Sequence, residues 1–172
     1  QFFALDGLVH CAGILGPRTP IEFYSADDWE LTMRINVSAA FLLTKYLLPF
    51  LKKSMDGRVL FTSSSVGRKA RGHWGAYAVS KFALEGLMQV LADELDNTSK
   101  IRINSLNPGG IRTAMRRTAY PAENPSANPP PEVLMPLYLY LFSSESRNIN
   151  GQALNFKDFN PSIYSRPAQS DE

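Results

Sequence analysis

Three residues near the middle of the chain have the types and spacing for proton-transfer chemistry. Ser64 stands thirteen positions before Tyr77, and Tyr77 stands four before Lys81. On a helix that starts near Gly75, an i, i+4 spacing puts the phenol and the ammonium on one face, one turn apart. A free tyrosine titrates near pH 10, too high to exchange protons usefully at neutral pH. An adjacent cation favours the phenolate, so Lys81 is expected to lower the pKa of Tyr77 into a working range. A serine hydroxyl beside them can hydrogen-bond the substrate oxygen that gains or loses the proton. The trio suits reduction of a carbonyl or oxidation of an alcohol. A Tyr-x-x-x-Lys pair alone also fits an ordinary exposed helix, so the surrounding elements must decide.

Those elements alternate. Residues 5–10 (LDGLVH) are a short apolar run closed by Ala12 and Gly13, a buried strand and its loop. Ser25 followed three positions later by Asp28 signals a helix start, and Trp29, Met33, Val37, Ala40, Phe41, Thr44 and Leu48 keep helical spacing to about residue 53. Residues 58–62 (RVLFT) form a second strand, residues 75–96 a second long helix, and residues 101–106 (IRINSL) a third strand stopped by Asn107-Pro108-Gly109-Gly110. Residues 114–131 hold five prolines and are expected to form a loop or lid with little regular structure. A helix over 132–143, a short strand over 151–156 and an irregular tail over 158–172 complete a single domain.

Strands alternating with helices of this length imply an α/β fold with a parallel sheet, whose ligands bind beyond the carboxyl ends of the strands. Gly13, Ser64 and Pro108-Gly109 each follow a strand and converge there. Eighteen basic and sixteen acidic residues leave a net charge of +2, the charges scattered apart from doublets such as Lys52-Lys53 and Arg116-Arg117. These are too short for a nucleic-acid surface and are expected to be solvated. No apolar run reaches the length of a membrane span. The single cysteine, Cys11, excludes an internal disulfide and points to a reducing, cytoplasmic setting. His10 and His73 are the only histidines, too few for a zinc site, so no metal is assigned and His10 and Cys11 are taken as packing residues. No Gly-x-Ser-x-Gly surrounds Ser64, which sets aside a serine hydrolase.

Ser64, Tyr77 and Lys81 resemble the catalytic serine and Tyr-x-x-x-Lys motif of the short-chain dehydrogenase/reductase family, distance included. Asn36 matches its fourth catalytic position, His10-Cys-Ala-Gly13 resembles its Asn-Asn-Ala-Gly motif, and residues 108–113 resemble its Pro-Gly-x-x-x-Thr. Within the family, residues 63–86 and 107–116 are most similar to a YciK-like branch. The resemblance implies a Rossmann-like doubly wound parallel sheet, of which these residues supply the carboxyl-terminal part. The family's amino-terminal half, with the Gly-rich turn for the cofactor pyrophosphate, would precede Gln1. The first two asparagines of Asn-Asn-Ala-Gly are His10 and Cys11 here.

By resemblance, Tyr77 is the general acid or base, Lys81 lowers its pKa and meets the nicotinamide ribose, Ser64 orients the substrate oxygen, and Asn36 relays protons to Lys81 through water. Ala12, Gly13, Pro108, Gly109 and Thr113 would line the cofactor, with Thr113 at the carboxamide. The cofactor implied is NADP or NAD, NADP being favoured, and the partner a small carbonyl or alcohol substrate. The two long helices imply a homodimer or homotetramer through apolar residues such as Tyr46, Phe50, Val90 and Leu91. A dehydrogenase-like scaffold with a binding or regulatory role is the alternative reading.

Overall fold

A computed structural model describes residues 3–160. Four strands, β1 (Gly7–His10), β2 (Arg58–Thr62), β3 (Arg102–Asn107) and β4 (Ala153–Asn155), form one parallel sheet in the order β1-β2-β3-β4. Val59 pairs with Leu8 on one side and Ile103 on the other, and Ser105 pairs with Ala153. The helices are α1 (Ala26–Met33), α2 (Ala39–Leu51), α3 (Gly75–Asp96), α4 (Ala114–Ala119) and α5 (Met135–Leu141).

The central strand β2 is apolar at successive positions because both of its faces are covered. Val59 and Phe61 turn toward Ala40 and Leu51 of α2 and toward Leu84, Met88, Ala92 and Leu95 of α3. Leu60 turns the other way and joins Leu106 against Leu137 and Leu141 of α5. Each such side chain contributes about 1.5–3 kcal/mol by leaving water. The sheet is therefore clad by helices on both faces, the Rossmann-like arrangement.

The single helix expected over residues 26–53 is a helical run with a defect. Ser25 starts it, its hydroxyl accepting from the Asp28 N–H at 3.4 Å. Between α1 and α2 lies a π-helical turn, Arg34–Ser38, and Asn36 sits inside it, only 1% exposed. Such single wide turns recur at functional sites.

Residues 114–131 are more ordered than their prolines suggest. They contain α4 and a short 3-10 turn, Pro125–Ala127. Thr113 caps α4 by accepting from the Arg116 N–H at 3.1 Å. Arg116 then grips both carboxylate oxygens of Glu123, each at 2.6 Å, and Asn128 donates to the same carboxylate at 2.8 Å. Arg116 also lies 3.9 Å over the Tyr120 ring, so it is not the solvated charge that its doublet suggests. The helix expected over 132–143 opens as a 3-10 turn, Pro131–Leu134, before α5. Most of the tail expected to be irregular, residues 161–172, lies outside the described residues.

Candidate active site

Two close approaches set the candidate trio. Beyond β2 the chain passes through Ser63 and Ser64 into a 3-10 turn, Ser65–Gly67, laid directly on α3. Gly67 has no room for a side chain: a Cβ there would stand 2.6 Å from Lys81 Cβ and 2.9 Å from the Lys81 carbonyl carbon. At the start of α3, Gly75 has φ +38, and the Tyr24 ring edge lies 2.2 Å from where its Cβ would be. Only glycine fits both the backbone and the ring. Tyr24 thereby fixes the helix start two residues before Tyr77.

Tyr77 is 7% exposed and Lys81 4%. The Lys81 ammonium donates to the Thr62 carbonyl at 2.7 Å and lies 5.5 Å from the centroid of the Tyr77 ring. Burial lowers the pKa of Lys81 from 10.5 to about 8, against the opposing pull of Cys11 and Glu85. Burial also raises the pKa of Tyr77, and a hydrogen bond with Ser64 recovers part of the shift. This corrects the expectation of a lowered tyrosine pKa. Both groups have lost water, and desolvation penalises the phenolate more than its neighbours favour it. At neutral pH the phenol keeps its proton, the state a proton donor needs.

Asn36 does not reach Lys81 with its amide. Its Oδ1 accepts from the Ile14 N–H at 2.8 Å, and its Nδ2 donates to the Ile14 carbonyl at 2.9 Å and to the Ser80 hydroxyl at 2.9 Å. Both N–H donors are consumed in clamping the loop after β1 to α3. Gly13 follows the same line, since a Cβ there would meet Asn36 Oδ1 at 3.2 Å and Lys81 Nζ at 3.8 Å.

A cavity of about 370 Å³ opens over these groups, within the range of small-molecule sites. Gly13, Ser64, Tyr77, Lys81, Pro108, Gly109 and Thr113 all border it, whereas Ala12 is exposed and does not. Cys11 is exposed on the cavity wall and is not a packing residue. His10 is one: its Nε2 pairs with the Thr44 hydroxyl at 2.8 Å, its ring stacks on Phe61 at 4.7 Å, and burial lowers its pKa to about 4.

Sequence reasoning named none of the residues of the apolar wall. Leu15, Trp74, Met115 and Tyr120 supply it, with Trp74 5.8 Å from the Tyr77 ring and 5.9 Å from that of Tyr120. Arg18 lies 4.5 Å over Trp74 and donates to the Ala119 carbonyl. Trp74, three residues from Tyr77, carried a signal by proximity alone. Met115 and Tyr120 join it through the folding of residues 114–131, and Leu15 through the segment after β1.

A family model described as short chain dehydrogenase matches residues 1–124. The chain is 50% identical over 151 residues to the Escherichia coli (strain K12) protein named Uncharacterized oxidoreductase YciK, covering 88% of this chain and 59% of that one. A Pseudomonas syringae structure described as a short chain dehydrogenase superposes with a TM-score of 0.88 at 60% identity, covering 90% of this chain and 62% of that one. Another, from Escherichia coli CFT073 and complexed with NADPH, superposes with a TM-score of 0.87 at 49% identity, covering 90% and 64%. The chain thus spans about three-fifths of the length of these relatives.

Proposed function

The chain belongs to the short chain dehydrogenase family, and on that premise we propose that the whole protein is an NAD(P)-dependent oxidoreductase acting on a carbonyl or alcohol. The observation that carries this reading is a buried, protonated phenol, Tyr77, beside Ser64 and Lys81 at the floor of a cavity of ligand size. NADP is favoured over NAD because a relative at 49% identity is complexed with NADPH.

The residues present fit such a cofactor. The missing side chain at Gly13 keeps a way open to the Lys81 ammonium, which spends one donor on Thr62 and has others for a ribose hydroxyl. A bound nicotinamide would supply the hydride to the carbonyl carbon. Ser64 would donate to the carbonyl oxygen and hold it beside Tyr77, and the Tyr77 hydroxyl would release its proton to that oxygen as charge develops. The Lys81 cation stabilises the phenolate left behind. With both of its N–H donors engaged, the Asn36 side chain would serve a water relay only as an acceptor. In the oxidative direction the same phenol must first ionise, which its raised pKa disfavours, so reduction is the direction that the resting site suits.

The wall of Leu15, Trp74, Met115 and Tyr120 favours a carbonyl compound with an apolar body. A second copy of the chain is the partner proposed for the exposed Phe41, Leu43 and Tyr46 of α2 and the exposed Val79, Phe82 and Val90 of α3. The test of the function is Tyr77→Phe in the full chain. NADPH binding should persist while carbonyl reduction falls about 10²- to 10⁴-fold, the usual contribution of a general acid. Undiminished turnover would refute the assignment.

A further inference from the structure

Beneath the cavity runs a polar chain that the proposed chemistry does not use. Glu85 is 6% exposed and stands on α3 one turn beyond Lys81 and two beyond Tyr77. Its Oε1 accepts from the Ser63 hydroxyl and from Arg68 Nε at 3.1 Å, and its Oε2 accepts from the Ser105 hydroxyl at 2.7 Å. Arg68 continues the chain, donating to the Leu154 carbonyl at 2.8 Å and to Asn155 Oδ1 at 2.6 Å. Asn107 donates to that same Oδ1 at 3.1 Å and, with its own Oδ1, accepts from the Gly109 N–H at 3.1 Å.

We infer that Glu85 and Arg68 are a positioning pair for this site: they lock the serine-bearing turn to α3 and, through Asn155 and Asn107, tie it to the Gly109 loop across the cavity. A core needs no such device. Residues 64–67 and 108–110 lie just beyond the ends of different strands, where the ladder has stopped, and both must keep their place for one substrate to meet Ser64 and a cofactor together. A buried carboxylate is tolerated only when hydrogen bonds and a cation compensate it, as Ser63, Ser105 and Arg68 do here. Ser63, which Glu85 grips, is the immediate neighbour of Ser64.

The charge matters as well as the hydrogen bonds. Lys81 faces Tyr77 and Glu85 on its own helix and Cys11 from the segment after β1, Tyr138 borders the same cavity from α5, and Arg68 offsets Glu85. Glu85 helps to keep Lys81 protonated. Replacing it with a neutral amide removes that support and leaves the Arg68 cation unopposed, and both changes work against the ammonium.

This inference rests on the proposed activity, so the test also reads Lys81 directly and the two can fail separately. In the full chain, the reactivity of Lys81 toward acetic anhydride is followed by mass spectrometry from pH 6 to 11, alongside NADPH binding and carbonyl reduction. Glu85→Gln should move the Lys81 midpoint to lower pH and cut kcat by about tenfold to a hundredfold, as small misplacements of reacting groups do. Glu85→Asp should restore the midpoint. Asn155→Ala should leave the midpoint alone and weaken NADPH binding about tenfold, the equivalent of one good hydrogen bond. Ser63→Ala keeps the ion pair and should lower kcat without changing NADPH affinity, which preserves the test should Glu85→Gln fail to fold. Wild-type kcat in Ser63→Ala, or an unmoved Lys81 midpoint in folded Glu85→Gln, would overturn the inference. A shifted midpoint in Glu85→Gln, found while Tyr77→Phe remains fully active, would support the pair and discard the catalytic reading.

Discussion

The pKa of Lys81 makes a numerical prediction about activity. With a value of about 8 in the free protein, the ammonium is about nine-tenths protonated at pH 7 and about one-tenth at pH 9. The pH dependence of kcat/KM reports groups of the free protein, so kcat/KM for NADPH at saturating carbonyl substrate should fall about tenfold between pH 7 and pH 9. Unfolding would not produce this limb. The folded value lies below the unfolded 10.5, so burying the charged amine costs stability below pH 8, and that cost is relieved as pH rises from about 8 to 10.5. Activity and the Lys81 contribution to stability therefore move in opposite directions over the same window. In Lys81→Arg the guanidinium stays charged throughout, and the rate, although lower for want of the same geometry, should lose its limb near pH 8. Initial rates from pH 6 to 10 with both proteins decide the matter. A flat wild-type profile to pH 9.5, or a limb near 8 that survives in Lys81→Arg, would refute the role of the ammonium.

Two further outcomes are expected. His10 is held neutral, its pKa lowered from 6.5 to about 4, so the unfolded chain takes up a proton first and stability is lost as pH falls from about 6.5 to 4. Urea unfolding at pH 7 and pH 4 should show this loss shrinking in His10→Asn; an equal loss in both proteins would place the acid sensitivity elsewhere. Phe82, 43% exposed on α3, should be covered by a second copy, so light scattering on the full chain should find a dimer or tetramer that Phe82→Glu dissociates. A wild-type monomer at micromolar concentration would count against that interface.

The parts of the site legible in the sequence are those whose geometry is local. Tyr77 and Lys81 share a face because one helix carries both, and helical spacing is written in the chain. Ser64 and Gly109 follow from a rule about strand ends, which needs only the alternation of strands and helices. The order within residues 114–131 was hidden because prolines dominate its composition. What holds it is an ion pair seven residues apart, Arg116 to Glu123, and a contact from Arg18 to the Ala119 carbonyl. The direction of the Tyr77 shift was equally out of reach, since it is a contest between a neighbouring cation and the loss of water, and burial is a property of the whole fold. Glu85 is the instructive case between these limits. It extends the spacing of 77 and 81 by one more turn onto the face that also carries Leu84 and Met88, a place where an amphipathic helix should be apolar. A carboxylate there contradicts the core pattern, and such contradictions are where a sequence gives up local consistency for function. The conflict is legible in the helical pattern alone; the partners, Ser63, Arg68 and Ser105, come from other elements and are set by the fold.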